Sequence, residues 1–166
     1  MDDDSDSEKL RFLCDEMLRG LARWLRAAGY DTKTAQRGTD DKHLLQQALA
    51  EQRWLITRDR KLMERKQSAV DVVLLSCNDT ESCVRTLSQQ LPVDWLFNPF
   101  TRCLLCNTPL ETADPDKLHQ VPEESRKLAD PLLFCPTCNK IYWDGGHVDR
   151  MRRRLQHWAA FRDSPK

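Results

Sequence analysis

The chain has 166 residues, of which 40% are hydrophobic and 31% charged, a composition that excludes wholesale disorder and suits one domain with a small appended module. Its 26 basic and 26 acidic side chains give a formal net charge of zero, so no overall field favours a nucleic-acid partner. No segment contains the roughly 18 consecutive apolar residues of a membrane span, and we expect no association with a membrane.

Strands and helices alternate along the first part of the chain. Residues 1–8 are acidic with almost no apolar side chains, and a disordered leader is predicted there. Apolar runs predict four strands, and apolar residues at helical spacing predict helices between them. The predicted strands are 10–14, 30–35, 54–57 and 70–75, and the main predicted helices are 17–28, 40–49 and 80–91. This alternation is typical of a parallel sheet covered by helices, so the predicted class is α/β.

A break follows the last of these helices, where Pro92 and Asn98-Pro99 interrupt the pattern. The predicted organisation is therefore an α/β domain at 9–98 and a segment at 99–148, called here the cysteine module. A C-terminal helix and tail are predicted at 149–166. Four apolar residues at helical spacing predict that this last helix is amphipathic: Met151, Leu155, Trp158 and Phe161.

The cysteine module contains two C-x-x-C pairs, Cys103 with Cys106 and Cys135 with Cys138. Each pair can aim two sulfurs at one ion, and two pairs complete a closed tetrahedral site, so a structural zinc ribbon is predicted. A redox pair would instead need one C-x-x-C beside a βαβ unit. Metal-binding cysteines are typical of a reducing compartment, which predicts a cytoplasmic protein. The remaining cysteines are predicted to be core or surface thiols: Cys14, Cys77 and Cys83.

Acidic residues follow the predicted strands. Asp15 comes after the first strand, Asp59 after the third and Asp79 just beyond the fourth, at the sheet edge where parallel sheets bind ligands. Asp40 and Asp41 open a helix that could face the same edge, and at most one of them is expected to point into a site. Converging carboxylates repel one another unless a divalent cation neutralises them. Oxygen ligands without histidine favour Mg²⁺ or Mn²⁺, which can activate water for phosphodiester hydrolysis.

These acids also have structural explanations. Asp79 could serve only as a helix cap, and an aspartate at a strand end often begins a turn. Two other folds with acids at strand ends fit less well. A receiver domain needs a lysine after a fifth strand, and a haloacid-type phosphatase needs D-x-D where this chain has Asp15-Glu16-Met17.

Several segments resemble the Mut-seven C-terminal RNase family, a branch of the PIN-like nucleases, in a matching order. They are FLCDEMLRGLARWLRAAGYD at 12–31, LITRD at 55–59, the four cysteines, and IYWDGGH at 141–147 with Arg150 and Met151. The resemblance implies a PIN-like parallel sheet covered by helices, with a small C-terminal zinc-ribbon module. It also implies metal-dependent cleavage of single-stranded RNA.

The same resemblance implies roles for individual acids. Asp15 and Asp59 match the acids that bind Mg²⁺ or Mn²⁺ in the family, and Asp41 matches the middle acid, a position for which Asp40 competes. Asp79 lies in about the place of the fourth acid. The catalytic set implied for this chain is therefore Asp15, Asp41, Asp59 and Asp79.

Basic side chains near these acids are candidates for binding RNA. Arg19, Arg23 and Arg26 recur at helical spacing after the first strand, and Arg58 adjoins Asp59. Each could grip a phosphate. For any single one of them, a place on a solvated face or a pairing with an acid is the more ordinary explanation.

Three residues near the second cysteine pair are further candidates. His147 could contact phosphate, assist proton transfer or cap a helix. Tyr142 and Trp143 could stack on bases or pack the second zinc hairpin. The resulting prediction is a Mg²⁺- or Mn²⁺-dependent endoribonuclease with a structural zinc ion. The alternative is a non-catalytic zinc-ribbon adaptor that binds RNA or protein.

Overall fold

The computed structural model describes residues 10–66 and 69–163. The predicted leader at 1–8 and the end of the predicted tail lie outside the described residues. Within the described part of the chain, no helix has both the length and the apolar character needed to cross a bilayer.

The first part of the chain forms a parallel sheet with the strand order β2-β1-β3-β4. Cys14 on β1 lies opposite Thr34 on one neighbour and Ile56 on the other, so β1 is a central strand. Every residue of β1 is buried, as expected for a strand covered on both faces. The predicted α/β class and its four strands are confirmed. The strands are β1 (Phe12–Cys14), β2 (Thr32–Thr34), β3 (Trp54–Thr57) and β4 (Val72–Leu74).

Helices cover both faces of this sheet. Successive strand side chains point to opposite faces, so Phe12 and Cys14 join a large core while Leu13 joins a smaller one. The large core also takes residues from α1, α4 and α5, and the smaller core takes residues from α2 and α3. A short 3-10 turn, Glu16–Leu18, leads from β1 into the first helix. The helices are α1 (Arg19–Ala27), α2 (Asp41–Ala50), α3 (Arg60–Glu64), α4 (Thr80–Gln90) and α5 (Gly146–Ala159).

The C-terminal helix α5 packs back onto the α/β domain. Leu155 and Trp158 are fully buried in the large core. The Trp158 ring meets Trp24 and Trp95 edge to face, with centroids 4.7 and 5.5 Å apart. Such pairs contribute about 0.5–1.5 kcal/mol each beyond the area they bury. The predicted amphipathic helix is confirmed, although it begins at Gly146 rather than at 149.

The cysteine module carries its own antiparallel sheet, in the order β5-β6-β7. Between β5 and β6, the chain forms two 3-10 turns, Pro115–Gln120 and Glu123–Leu128. These turns cover a small separate core that includes Val121 and Ile141. The strands are β5 (Glu111–Thr112), β6 (Leu133–Phe134) and β7 (Ile141–Tyr142).

Arg26 joins the two parts of the molecule. It is only 7% exposed, and its guanidinium donates to the carbonyls of Thr32 (2.8 Å), Leu104 (3.1 Å) and Leu105 (3.2 Å) and to the Thr34 hydroxyl (3.0 Å). Burial lowers the pKa of this guanidinium. The prediction that Arg26 could bind a phosphate is therefore wrong, since its donors are committed to the α/β domain and the cysteine module.

Asn107 makes a second link between the two parts. Its side-chain oxygen accepts from the buried Thr32 amide at 2.9 Å, and its nitrogen donates to Asp31 at 2.7 Å. Asp31 also pairs with Arg53 at 2.8 Å. Partial burial would raise the pKa of Asp31, but hydrogen bonds from Arg53 and Asn107 outweigh burial and hold that pKa well below its ordinary value. Asn107 and Arg26 together fix the first cysteine pair against β2.

Two cysteines predicted to be thiols are bonded to each other. Cys77 and Cys83 form a disulfide, with Cα atoms 5.1 Å apart, between the loop after β4 and the first turn of α4. The thiol prediction is wrong for this pair because the turn into α4 brings residues six positions apart into contact. Cys14 remains a core thiol, and burial raises its pKa to about 12.

Candidate active site

Asp15 and Asp59 are linked through one hydroxyl at the carboxyl edge of the sheet. The pairing of β1 with β3 continues to Asp15, whose amide donates to the Ile56 carbonyl at 2.9 Å. The Thr57 hydroxyl donates to Asp15 Oδ2 at 3.0 Å and accepts from the Asp59 amide at 3.0 Å. Because Thr57 is fully buried, its hydroxyl fixes the two acids relative to each other.

The same two acids also begin helical turns. Asp15 Oδ1 accepts from the Glu16 amide at 2.7 Å, and Asp59 Oδ1 accepts from the Lys61 amide at 2.9 Å. A carboxylate is favoured at such a position because the first amides of a turn lack backbone acceptors. Asp59 Oδ2 makes no hydrogen bond with a described residue. Asp15 and Asp59 thus each begin a turn, which is the structural explanation that the sequence suggested for a strand-end aspartate. One oxygen of Asp59 is left for another ligand.

Asp40 and Asp41 have different positions. Asp40 caps α2, accepting from the amide and the ring of His43 at 2.8 and 2.7 Å. These hydrogen bonds lower the pKa of Asp40. Asp41 lies in the first turn of α2, and its Oδ2 pairs with the exposed Arg65 at 3.2 Å. Asp41 as the middle acid of the site therefore stays a prediction.

Asp79 is the N-terminal cap of α4. Its Oδ1 accepts from the Ser82 amide at 2.8 Å, and the Ser82 hydroxyl lies 3.3 Å from the Asp79 amide, which completes a capping box. The Cys77–Cys83 disulfide closes the loop around this cap. The helix-cap interpretation is confirmed, and a catalytic role for Asp79 stays a prediction.

The four predicted acids do not form a ready-made site for one ion. Among the residues that the structure describes, one group of three or more cysteine, histidine, aspartate or glutamate side chains is placed to hold an ion, and it is the cluster of four cysteines. Asp15 and Asp59 are held together through Thr57, whereas Asp41 is engaged by Arg65 and Asp79 by its cap. We refer to these four acids at the sheet edge as the acidic edge.

The four cysteines converge as the sequence predicts. The sulfurs of Cys103, Cys106, Cys135 and Cys138 all lie within 4.8 Å of one another. Sulfurs bound tetrahedrally to zinc at ~2.3 Å lie about 3.8 Å apart, so the cluster has a suitable size. The cluster could therefore hold a metal ion such as zinc.

An asparagine shapes the turn after each cysteine pair. Asn107 and Asn139 adopt left-handed backbone conformations, with φ of 74° and 57°. Asparagine tolerates this region better than most residues. Their amides donate back to the carbonyls of Cys103 and Cys135 at 3.0 and 2.8 Å. Each turn therefore returns the chain so that both cysteines of the pair face the same point.

Neighbouring groups influence the cysteine thiols. Partial burial would raise the pKa of Cys106, but hydrogen bonds with Thr108 outweigh burial and lower it to about 6. Hydrogen bonding with Cys106 raises the pKa of Cys138 to about 12. The Tyr142 hydroxyl lies 3.1 Å from the Cys103 sulfur and accepts from the Leu104 amide. Metals bind thiolates, so a cluster with one readily ionised thiol is suited to capture an ion.

A groove of about 870 Å³ lies between α1, β2 and the first cysteine pair, and we call it the basic groove. Arg19 and Arg23 line it, and no described acid does. Neither arginine forms an ion pair with a described residue, so no described acid neutralises their charges. Ala35 lines the groove, and its amide bonds the Cys14 carbonyl immediately before Asp15. The basic groove thus begins close to the acidic edge.

The other predicted RNA contacts lie at two places. Arg58 is half-buried beside Asp59 and forms no ion pair with a described residue. His147 lies in the first turn of α5, where its Nε2 is 3.4 Å from a guanidinium nitrogen of Arg23. Arg23 and His147 therefore lie side by side even though they are far apart in sequence.

Sequence reasoning missed three residues of these sites. Thr57 precedes Asp59 by two positions, and only the pairing of β1 with β3 reveals its bond to Asp15. Lys33 lines the basic groove, where it also pairs with Glu51 at 3.1 Å. Asn107 could have been found, because an asparagine follows the second cysteine in both pairs.

The fold and the cysteine cluster define an α/β protein with an appended module that could bind zinc. The model of the Mut7-C RNAse domain family matches residues 10–155, most of the chain. The protein therefore belongs to the Mut7-C RNAse domain family, which indicates a nuclease-like role. A search of curated proteins and a search of solved structures gave no match.

Proposed function

We propose that the protein is a metal-dependent endoribonuclease of the PIN-like type that hydrolyses phosphodiester bonds in single-stranded RNA. The observation that carries the proposal is the link between Asp15 and Asp59 through the buried Thr57 hydroxyl. It ties the Asp15 carboxylate to the backbone of Asp59 at the edge where parallel sheets bind ligands. Family membership supports the nuclease activity, and the adjoining basic groove supports a phosphate-bearing substrate.

The residues of the acidic edge fit Mg²⁺ or Mn²⁺ in their chemistry. Asp15, Asp41 and Asp59 would hold the ion, with Asp79 as the fourth acid, and all of them offer the hard oxygen ligands that these ions prefer. Asp41 must first leave Arg65, whose side chain is 67% exposed. An exposed ion pair contributes only about 0.2–1 kcal/mol, so this rearrangement is easily offset by metal binding. The bound ion would supply an activated water and neutralise charge on the phosphate.

The protein's own residues would position the RNA. Arg19 and Arg23 would bind phosphates along the basic groove, Arg58 would bind one beside Asp59, and His147 would contact one near Arg23. The Thr57 hydroxyl would orient the Asp15 carboxylate toward the same point. Binding along a groove suits a single strand, because a flexible strand can follow the groove while its bases remain accessible.

We propose that Cys103, Cys106, Cys135 and Cys138 hold a structural zinc ion. Four thiolate ligands fill the tetrahedron and leave no position for substrate. The ion would maintain the Leu104 and Leu105 carbonyls in place for Arg26. The two C-x-x-C pairs support a cytoplasmic location, where metal-binding thiols remain reduced, whereas the Cys77–Cys83 disulfide is of a kind that is rare there.

The test is cleavage of a labelled single-stranded RNA with Mg²⁺, with Mn²⁺ and without either ion. Asp15→Asn and Asp59→Asn should each lower the cleavage rate by on the order of 100-fold, the scale of a lost charge-stabilising group. Asp71→Asn is the matched control, because Asp71 is an exposed acid directly before β4, at the opposite edge of the sheet. Equal rates for wild type, Asp15→Asn and Asp71→Asn would refute the proposal.

A non-catalytic adaptor that binds RNA or protein is the second candidate. The Asp41–Arg65 pair and the cap made by Asp79 favour it, since both engage acids that catalysis would need. An adaptor would bind RNA equally with and without Mn²⁺ and would leave it intact. Its binding would also be unaffected by Asp15→Asn.

A further inference from the structure

A second concave site lies between the cysteine module and the start of α5. It has a volume of about 500 Å³, within the range of pockets that bind small ligands. We call it the aromatic cavity, because three rings contribute to its walls. The rings are Phe100, Tyr142 and Trp143, and the basic side chains around them are Arg23, Arg102, Lys140, His147 and Arg152.

The charges around the aromatic cavity favour an anion. Asp144 is the one acid among its described lining residues, and it pairs with Arg152 at 3.1 Å. Arg23 has no carboxylate partner among the described residues and lies 3.4 Å from His147. Lys140 forms no ion pair with a described residue and lies over the Tyr142 ring, 5.5 Å from its centroid. An anionic ligand would therefore find basic groups that are not already neutralised.

The first turn of α5 adds backbone donors to the same wall. Gly146, His147 and Val148 all line the aromatic cavity. Gly145 is the N-terminal cap residue of α5, and no side chain caps the helix. The first amides of a helix lack intrahelical acceptors and carry partial positive charge, which suits a phosphate. These amides, Arg23 and His147 therefore form one phosphate-binding corner.

The Trp143 ring occupies space at the cavity wall that a side chain at Gly145 would fill. A Cβ at Gly145 would lie 2.8 Å from Trp143 Nε1, too close for any real contact. The indole Nε1 makes no hydrogen bond with a described residue. The ring packs partly against the small core of the cysteine module. Its remaining surface lines the cavity and its donor has no partner among the described residues, and a flat ring of this kind can stack on a nucleic-acid base.

The aromatic cavity adjoins the basic groove. Arg23 and Leu104 line both of them. A strand that lies in the groove can therefore pass Arg23 and place its next unit in the cavity. A nucleotide of the RNA combines a flat base with a phosphate. It would also arrive attached to such a strand.

We propose that the aromatic cavity binds one nucleotide of the substrate RNA. Its base stacks on Trp143 and its phosphate lies against Arg23, His147 and the first turn of α5. The proposal rests on the proposed function, since it assumes that RNA occupies the basic groove. It adds a dedicated subsite that fixes one nucleotide of the strand at a set distance from the acidic edge.

Binding of a short RNA in which each base in turn is removed tests the proposal. Affinities are measured without added Mg²⁺ or Mn²⁺, so that the strand stays intact. For wild type, loss of the base at one particular position should weaken binding about tenfold, the scale of one stacked base. Trp143→Leu should bind intact RNA about tenfold more weakly and show no further loss at that position. Phe134→Leu is the matched control, because Phe134 is also a half-buried ring on the small core of the cysteine module but does not line the cavity.

Gly145→Ala provides a second route if Trp143→Leu does not fold. The added methyl group must displace the indole, and at this ordinary backbone angle alanine causes no strain. Like Trp143→Leu, this variant should reduce the loss of affinity that follows removal of the base at that one position. Equal losses at every position, or an unchanged position-specific loss in Gly145→Ala, would overturn the subsite. A free nucleoside monophosphate that binds as tightly as the RNA would overturn its assignment to a strand.

The outcomes also separate this proposal from the proposed function. RNA that is cleaved with Mn²⁺ but shows no position-specific loss overturns the subsite alone. A position-specific loss in RNA that is never cleaved supports the subsite and rejects the nuclease. A wild type that neither binds RNA nor cleaves it with Mn²⁺ rejects both.

Discussion

Replacing Arg26 by methionine should strongly destabilise the protein. Arg26 donates four hydrogen bonds, and two of them reach the carbonyls of Thr32 and Leu104 in buried surroundings. Methionine is of comparable length and has a similar helix propensity, so the main loss is that both buried acceptors lose their donor. An unsatisfied buried group costs about 1–3 kcal/mol. The free energy of unfolding should therefore fall by roughly 2–6 kcal/mol.

Urea unfolding of the zinc-saturated protein measures this loss. Arg23→Met is the matched control, because Arg23 lies one turn earlier on α1, is exposed and has His147 as its one hydrogen-bond partner among the described residues. That variant should stay within about 0.5 kcal/mol of wild type. At about 2–4 °C for each kcal/mol, a loss of about 4 kcal/mol in Arg26→Met corresponds to a fall in Tm of roughly 8–16 °C. Equal stability of the two variants would refute the assignment of Arg26 as the link between the α/β domain and the cysteine module.

Three further predictions concern zinc, acid and the α4 cap. Removing zinc with a chelator should unfold the cysteine module, because the four thiolates lose the ion that holds them together; circular dichroism unchanged by the chelator would contradict a structural role. The lowered pKa of Asp31 means that its ionised form stabilises the fold above its unfolded-state pKa, and that this contribution is lost as pH falls through its folded-state pKa. As pH falls from roughly 5 to 2, Asp31→Asn should therefore lose less stability than wild type. If the urea midpoints of the two proteins fall by the same amount over this range, Asp31 does not contribute in this way. Asp79→Ala should lower the free energy of unfolding by about 1 kcal/mol, whereas Asp79→Asn should change it little because asparagine can still cap the helix. If Asp79→Asn nonetheless lowers the rate of RNA cleavage, the charge of Asp79 acts in catalysis.

The sheet and the cysteine cluster were predictable because their signals are local. Apolar runs such as 54–57 identify a buried strand without knowledge of its neighbours, and the spacing of Cys135 and Cys138 already dictates a tight turn. Asp15 and Asp59 were placed at one edge by the same logic, since the carboxyl ends of parallel strands meet there. Their connection through Thr57 required the register of β1 with β3.

The features that the sequence did not predict depend on contacts between distant residues. Arg26 has the same helical spacing as Arg19 and Arg23, and only its contact with Leu104 shows that it is buried. That Asp40 rather than Asp41 caps α2 depends on which of the two meets the His43 amide. The contact of His147 with Arg23 could not be inferred, because nothing local to either residue indicates it.

The location of a bound Mn²⁺ ion tests the nuclease account most directly. Crystals grown with Mn²⁺ and zinc should show anomalous scattering from manganese between the oxygens of Asp15 and Asp59, at roughly 2.0–2.3 Å from each, with Asp41 released from Arg65. A protein that cleaves RNA with Mn²⁺ while the ion binds away from these acids, or while Asp41 remains paired with Arg65, would contradict the account.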